Sequence, residues 1–372
     1  MVTDMKITLH TQMQDYGQMV DRIIIECDAP VPAVKPEDFV LTDCYWDLSA
    51  KTPISGVKTV EIEGNTVTLH TDPFLHRIDF TVECTHPELA LKFKRDEVDH
   101  IDLHHEEMFR PIVENGVRYR LYEPESYGPR PLVLFLHGGG GSGEDNHLQL
   151  IDTIGAIKLA ERCPDMYVMA PQAPSGSMSM EEMFAKMMSK GDPFRVILGS
   201  DPDNDFGDRG WTRWYLGRIA DIIRKMIAEG KVDARRVYVT GMSMGGFGTI
   251  KMVGVAPDLF AACLPICPSM NNESYPILEN FPNVPAYIVS AYIDHQMGRH
   301  AYILRAVQKL WEKGRTDIRY TLFTPEELAE YGIGNSQGLT QKELYAELHN
   351  SWILAMHNEY CVLDWMFSHV KP

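Results

Sequence analysis

Along residues 1–100, apolar and polar positions alternate with a period near two. "KITLHT", "RIIIEC", "FVLT", "TVEIEGNTVTLHT", "RIDFTVEC" and "LALKF" are short, rich in β-branched residues and bounded by turn formers. That period belongs to strands, whose successive side chains face opposite sides of a sheet. "EGNT" interrupts its run as a hairpin turn does. Residues 1–100 therefore predict a small all-β sandwich, with no convincing helix.

The density of short strands points to an immunoglobulin-like sandwich. "KRDEVDHIDLHHEEMFRP" follows and reads as a linker, 101–116. His100, His104 and His105 with Asp102 invite a metal reading, but their spacing matches no closed site, and a solvated connection is preferred. After residue 110 the pattern changes. "VRYRLY", "PLVLFLH", "MYVMAP", "RVYVTG", "AACLPICP", "AYIVSAY" and "RYTLF" alternate with helix-length segments such as "GRIADIIRKMIAEG" at 217–230. Near-continuous apolar runs are expected of parallel strands buried on both faces. Residues 117–372 thus predict an open, mostly parallel α/β sheet flanked by helices. Ligands bind beyond the carboxyl ends of such strands, so the residues just after each strand are the ones to inspect.

Composition narrows the function classes. A chain of 372 residues with 44% hydrophobic positions is long enough for one large domain and one small one. A net charge of −17 argues against nucleic acid and against anionic membrane as partners. "MVTDMKITLH" has no basic stretch followed by an apolar one, and no apolar run has the length of a membrane span. The seven cysteines show neither a disulfide framework nor a zinc spacing. They read as buried thiols in a reducing compartment, which favours the cytoplasm, or secretion if a leader preceded these residues.

Chemistry-bearing residues follow the strands. After "RVYVT" comes "GMSMGGFG", in which Gly241, Ser243 and Gly245 fit G-x-S-x-G between a strand and a helix. Such a turn needs small neighbours and exposes Ser243 as a nucleophile at a helix N-terminus. After "PLVLFL" comes "HGGGGSGEDN", whose glycines let backbone N–H groups approach a ligand. Gly139 (or Gly140) and Met244 are the candidate oxyanion donors. No Lys-Ser/Thr follows these glycines, which excludes a phosphate loop. His137 reads as a structural histidine that orients the loop. A serine needs a base, and the base an acid. Asp294 follows the strand "AYIVSAY", while Asp258 sits at a helix end and Asp317 precedes a strand. His295 and His300 beside it read as exposed or near substrate. The base should follow "RYTLF". His369 comes too late, leaving His349 and His357.

"PLVLFLHGGGGSGEDN", "MAPQAP", "RVYVTGMSMGGFGTIKMVGVAPDLFAACLPICP" and "HNSWILAMHNEYCVLDWMF" together resemble the polyhydroxybutyrate-depolymerase-like esterases of the α/β-hydrolase fold. That group includes carboxylesterases, feruloyl and acetylxylan esterases, and predicted peptidases. The resemblance covers about 108–370 and implies an α/β-hydrolase catalytic domain. Its H-x-x-W stretch before a C-terminal helix carries the base onto His349, with Trp352 and Trp365 in the matching places. Members with an N-terminal immunoglobulin-like domain match residues 1–100.

Two segments depart from the family pattern, 175–216 and 324–346. The second is expected to form a rim over the site. In the first, "SMSMEEMFAKMMSK" sets Met180, Met183, Phe184, Met187 and Met188 on one helical face behind a Ser179/Glu182 capping box. A packed helix and a lid over an acyl pocket both fit. Trp211, Trp352, Met183 and Met187 are the pocket candidates; Trp214 reads as packed. Asp201, Asp203 and Asp205 have calcium-loop spacing, but the glycine is displaced and Thr212 stands where such a loop needs Glu, so no metal is assigned. The expected activity is a serine carboxylesterase with no cofactor, acting on small-molecule or plant-polysaccharide-derived esters, feruloyl and acetyl among them. A peptidase of the same fold and a non-catalytic carbohydrate-binding protein are the alternatives. The β-sandwich serves either in a homo-oligomer or in shaping the active-site entrance, and the sequence does not choose.

Overall fold

The computed structural model describes residues 5–46, 53–126, 128–151, 153–176, 210–270, 275–294, 299–335 and 338–372. Two compact units emerge, Met1–Glu107 with Ile151–Ile154, and Met108–Leu150 with Gly155–Pro372.

Short 3-10 turns aside, the described residues of Met5–Glu107 form strands and loops. β1 (Met5–Gln14), β2 (Gly17–Cys27), β4 (Val57–Glu63), β5 (Thr66–Leu75) and β8 (His100–Asp102) form a sheet in the order β4-β5-β2-β1-β8. β3 (Phe39–Thr42), β6 (Thr81–Cys84) and β7 (Leu91–Lys94) form a second sheet. Alternate residues of both sheets meet in one core: Ile7, Leu9, Ile23, Ile25, Val67 and Leu69 from the first, Val82, Leu91 and Phe93 from the second. The alternation in sequence is this burial, with the intervening polar residues turned outward. Between β4 and β5 the predicted hairpin turn is Gly64–Asn65.

Segment 101–116 is not a linker. Its first residues complete β8, paired in parallel with β1 through Thr8↔His100 to His10↔Asp102, and Thr11 Oγ1 donates to the Asp102 carbonyl at 3.0 Å. The buried Gln18 amide donates to the His104 carbonyl at 2.8 Å. Its last residues form β9 (Phe109–Glu114), the edge strand of the second unit, paired antiparallel with β10 (Val117–Tyr122). Asn115 and Gly116 join them at φ 50° and 73°. Two successive left-handed residues are what a type I′ hairpin needs and what Asn-Gly supplies.

The second unit carries an eight-stranded sheet. To β9 and β10 it adds β11 (Arg130–Leu136), β12 (Tyr167–Pro171), β13 (Val232–Met242), β14 (Ala262–Ile266), β15 (Ala286–Ala291) and β16 (Ile318–Phe323). The order is β9-β10-β12-β11-β13-β14-β15-β16, parallel from β12 to β16. β14 and β15 are buried at every position, as strands covered on both faces must be. Helices lie in the crossovers, α1 (Gly155–Arg162), α2 (Arg213–Ala228), α3 (Met244–Val255) and α4 (Arg299–Glu312), and follow the last strand, α5 (Pro325–Glu330), α6 (Gln341–Leu348), α7 (Trp352–Met356) and α8 (Val362–Phe367). α2 starts four residues before the predicted stretch, because Thr212 caps it by accepting the Tyr215 N–H at 3.0 Å. The segment expected as a rim folds as α5, closed by a Thr324/Glu327 capping box, and α6, which runs directly into His349. Among the described residues no helix is long and apolar enough to cross a membrane.

Candidate active site

β13 delivers its chain into α3 through one residue, Ser243, at φ 73° and ψ −110°. A side chain in that conformation is strained and persists only where the surroundings enforce it. Here the enforcement is close packing. A Cβ on Gly241 would lie 2.4 Å from the Leu136 carbonyl oxygen, and one on Gly245 would lie 1.9 Å from the same atom. Only glycine lets the turn approach β11 this closely. The Ser243 N–H donates to the Ile266 carbonyl at 3.0 Å and its own carbonyl accepts from Phe247 at 3.1 Å, which fixes the turn from both sides.

Beyond β15, Asp294 is fully buried, with its N–H on the Ala291 carbonyl. His300 Nδ1 donates to the Asp294 carbonyl at 3.1 Å. His300 is thus a brace of the acid loop; His295 lies outside the described residues. His349 opens a short 3-10 turn between α6 and α7. Its Nδ1 is 2.6 Å from Asp294 Oδ2 and its Nε2 is 2.8 Å from Ser243 Oγ. The competing residues lie elsewhere. Asp258 pairs with Arg224 at the surface, Asp317 pairs with Arg315 before β16, and exposed His357 stacks on Tyr331 with ring centres 5.1 Å apart. His369 donates from Nδ1 to the Trp365 carbonyl.

After β11 the glycine loop makes a 3-10 turn, Gly139–Gly141, that leaves Gly139 and Gly140 exposed while Gly138 packs beside Ser243. Met244 is the first residue of α3, so its N–H is one that a helix leaves without an internal acceptor, at the positive end of the dipole. His137 braces this loop. It is fully buried, donates from Nδ1 to the Gly138 carbonyl, and accepts the Ala173 N–H on Nε2 at 2.9 Å. Burial pulls its pKa down to about 4, against a weaker upward pull from the Gly138 carbonyl and Asp145, so the ring is neutral.

Two buried residues escaped the sequence reading. Gln172 ties the loop together: its amide donates to Asp145 Oδ1 at 2.7 Å and its Oε1 accepts from the Asn146 N–H at 2.6 Å. Burial alone would raise the Asp145 carboxyl, but donors from Leu148, Gln172 and His147 hold it below the usual range. Ser269, beyond β14, places its hydroxyl 3.2 Å from Ser243 Oγ. Its position after a core strand was the available signal.

The pocket candidates divide. Trp352 stands edge-on to His349 with ring centres 6.0 Å apart. Trp211 is no pocket wall: it is 1% exposed, packs on His137 and donates its indole N–H to the His137 carbonyl at 3.2 Å. Trp214, expected to pack, is 59% exposed under the Arg218 guanidinium. The reversal follows from α2, which begins at Arg213 and turns Tyr215 and Leu216 inward and Trp214 outward. Met183, Met187, the Ser179/Glu182 cap and the Asp201, Asp203 and Asp205 run lie outside the described residues. Thr212, the position that disfavoured calcium, is occupied as the α2 cap.

Residues 199–295, which hold Ser243 and Asp294, match the prolyl oligopeptidase family. A 48-residue stretch, 13% of this chain, is 44% identical to poly(3-hydroxyalkanoate) depolymerase C of Paucimonas lemoignei and spans 12% of that protein. A thermostable esterase of known structure is 22% identical, with 98% of this chain and 100% of that one aligned at a TM-score of 0.61. An S-formylglutathione hydrolase from Agrobacterium tumefaciens is 15% identical over 70% of this chain and 94% of its own, at a TM-score of 0.45. The fold is that of the α/β-hydrolases.

Proposed function

We propose that this chain hydrolyses carboxylic esters through an acyl-enzyme, with Ser243 as nucleophile, His349 as general base and Asp294 as the acid that orients it. One observation carries the reading: an unbroken Ser243–His349–Asp294 hydrogen-bond chain, at 2.8 and 2.6 Å, on a strained strand-to-helix turn. Asp294 accepts from Nδ1, so Nε2 is the ring nitrogen that takes the Ser243 proton as Oγ attacks the acyl carbon. The carbonyl oxygen then becomes an oxyanion facing the N–H groups of Gly139 and Met244, with Gly140 exposed beside them. His349 returns the proton to the departing alcohol, activates water and releases the acid. Trp352, edge-on to His349, is proposed to line the acyl side; no cofactor or metal enters.

The substrates we favour are small esters, feruloyl and acetyl groups of plant polysaccharide among them. Support for this comes from the family resemblance of residues 108–370, which also supports an immunoglobulin-like reading of the all-β unit. All seven cysteines are free, which suits a reducing compartment such as the cytoplasm. The match to the prolyl oligopeptidase family favours one second reading, a peptidase. Matched aminoacyl esters and amides separate the two: an esterase turns over only the ester. Replacing Ser243 with Ala should lower turnover of p-nitrophenyl acetate to background, roughly a millionfold. An unchanged rate rejects the assignment.

A further inference from the structure

We propose that Ser269 is a second catalytic hydroxyl, a donor that holds the nucleophile's own oxygen through both half-reactions. The inference rests on the assignment of Ser243 above and concerns a different oxygen from the one the Gly139 and Met244 amides face.

A carboxylate only accepts, so the 2.6 Å contact between His349 Nδ1 and Asp294 Oδ2 puts the imidazole proton on Nδ1. A neutral ring has one N–H, and Nε2 is therefore an acceptor. The one proton on Ser243 Oγ, 2.8 Å away, goes to it. Ser243 Oγ then meets Ser269 Oγ, 3.2 Å away, with lone pairs only, and the hydrogen of that contact belongs to Ser269.

The surroundings hold this donor in place. Ser269 is fully buried, and its N–H donates to the Ser243 carbonyl at 3.0 Å. Ser243 N–H in turn donates to the Ile266 carbonyl, so two backbone bonds tie the turn after β14 to the nucleophile turn. Cys267 anchors the same turn through its N–H on Val289 at 2.8 Å, in a left-handed conformation at φ 37°. A non-glycine residue held there signals enforcement by its neighbours.

Electron flow says what the donor does. In acylation the Ser243 proton passes to Nε2, an Oγ lone pair forms the bond to the acyl carbon, and the carbonyl π pair moves to its oxygen. Partial negative charge sits on Oγ until that bond is complete, and a hydrogen bond to a charged acceptor is the stronger kind. When the π pair returns, the bond to the leaving oxygen breaks and that oxygen takes the proton from Nε2. In deacylation water gives its proton to Nε2 and attacks; the acyl–Oγ bond breaks, charge returns to Oγ, and Nε2 reprotonates it. Ser269 keeps its proton throughout and stabilises Oγ at both points.

This predicts a kinetic signature. If one donor serves both half-reactions, its loss slows acylation and deacylation by similar factors, and KM, which depends on their ratio, stays put. We expect Ser269→Ala to lower the p-nitrophenyl acetate burst rate and the steady-state kcat together, by about tenfold to a hundredfold, with unchanged KM and thermal unfolding close to wild type. Ser269→Thr, which restores a hydroxyl, should recover most of the loss. If the Ala variant fails to fold, Ser269→Cys, a weak donor of similar size, is held to the same criteria. A wild-type rate without the hydroxyl, a loss confined to KM, or a Thr variant no better than Ala overturns the proposal. An active Ser243→Ala rejects the underlying assignment instead; an inactive Ser243→Ala beside a fully active Ser269→Ala rejects only this inference.

Discussion

Keeping His137 neutral should cost the fold about 3 kcal/mol by pH 4. Complete burial takes its imidazole from the ordinary 6.5 down to about 4. Geometry explains the reluctance. Nδ1–H is committed to the Gly138 carbonyl and the Nε2 lone pair to the Ala173 N–H, so a second proton finds only a donor facing it. As pH falls through 6.5 the unfolded chain binds a proton and the folded chain does not, so unfolding is favoured. The loss grows until the folded ring also titrates near 4, and above pH 7 it is absent. With about 1.4 kcal/mol for each unit between the two values, the cost is about 2 kcal/mol at pH 5 and about 3 at pH 4. Urea unfolding of wild type and His137→Asn at pH 7.5, 5 and 4 isolates this from the other groups that titrate. At pH 7.5 the variant, which loses the Ala173 acceptor, should be less stable by about 1–3 kcal/mol. By pH 5 the gap should narrow by about 2 kcal/mol. Stability curves that fall in parallel would refute the reasoning, because they would mean His137 takes its proton as easily folded as unfolded.

Three further outcomes follow from the packing. His349→Ala should reduce ester turnover by roughly a millionfold, while His357→Ala, on the surface against Tyr331, should stay within about twofold of wild type; p-nitrophenyl acetate kinetics decide, and the reverse pattern removes His349 from the site. Gly245→Ala places a Cβ 1.9 Å from the Leu136 carbonyl, an overlap with backbone that no side-chain rotation relieves. It should destabilise the unit by about 3 kcal/mol or more and abolish fluorophosphonate labelling, whereas a labelled, stable variant would show the turn to be slack. Trp211→Ala should cost about 3–5 kcal/mol in urea unfolding and Trp214→Ala within about 0.5 kcal/mol; equal costs would contradict their opposite burial.

What the sequence made legible was whatever is local to the chain. Ser243 could be found because strand, turn and helix are consecutive, and its glycines answer to a contact their own spacing announces. Asp294 could be found because it follows an apolar run. His349 and His357 both follow β16, and nothing within eight residues tells which one a distant carboxylate will reach; only the resemblance separated them. The segment 101–116 misled for a related reason. Asn115–Gly116 is a strong hairpin signal, but β9 is an edge strand, "FRPIVE", whose Pro and charges suit an unpaired rim and hide the apolar pattern. β8 has three residues, too few to show a period. Trp211 and Trp214 stand three apart, and which one is buried depends on where α2 starts. Ser269 marks the sharpest limit. Its partner is 26 residues away, and the two meet only because β14 lies beside β13. Yet the rule that singled out Ser243 and Asp294, inspection of the residues beyond each parallel strand, applies equally to β14. Followed there, it stops at "CPSM", where the one hydroxyl is that of Ser269. Strand order, not motif, shows that a fourth polar group shares the same edge.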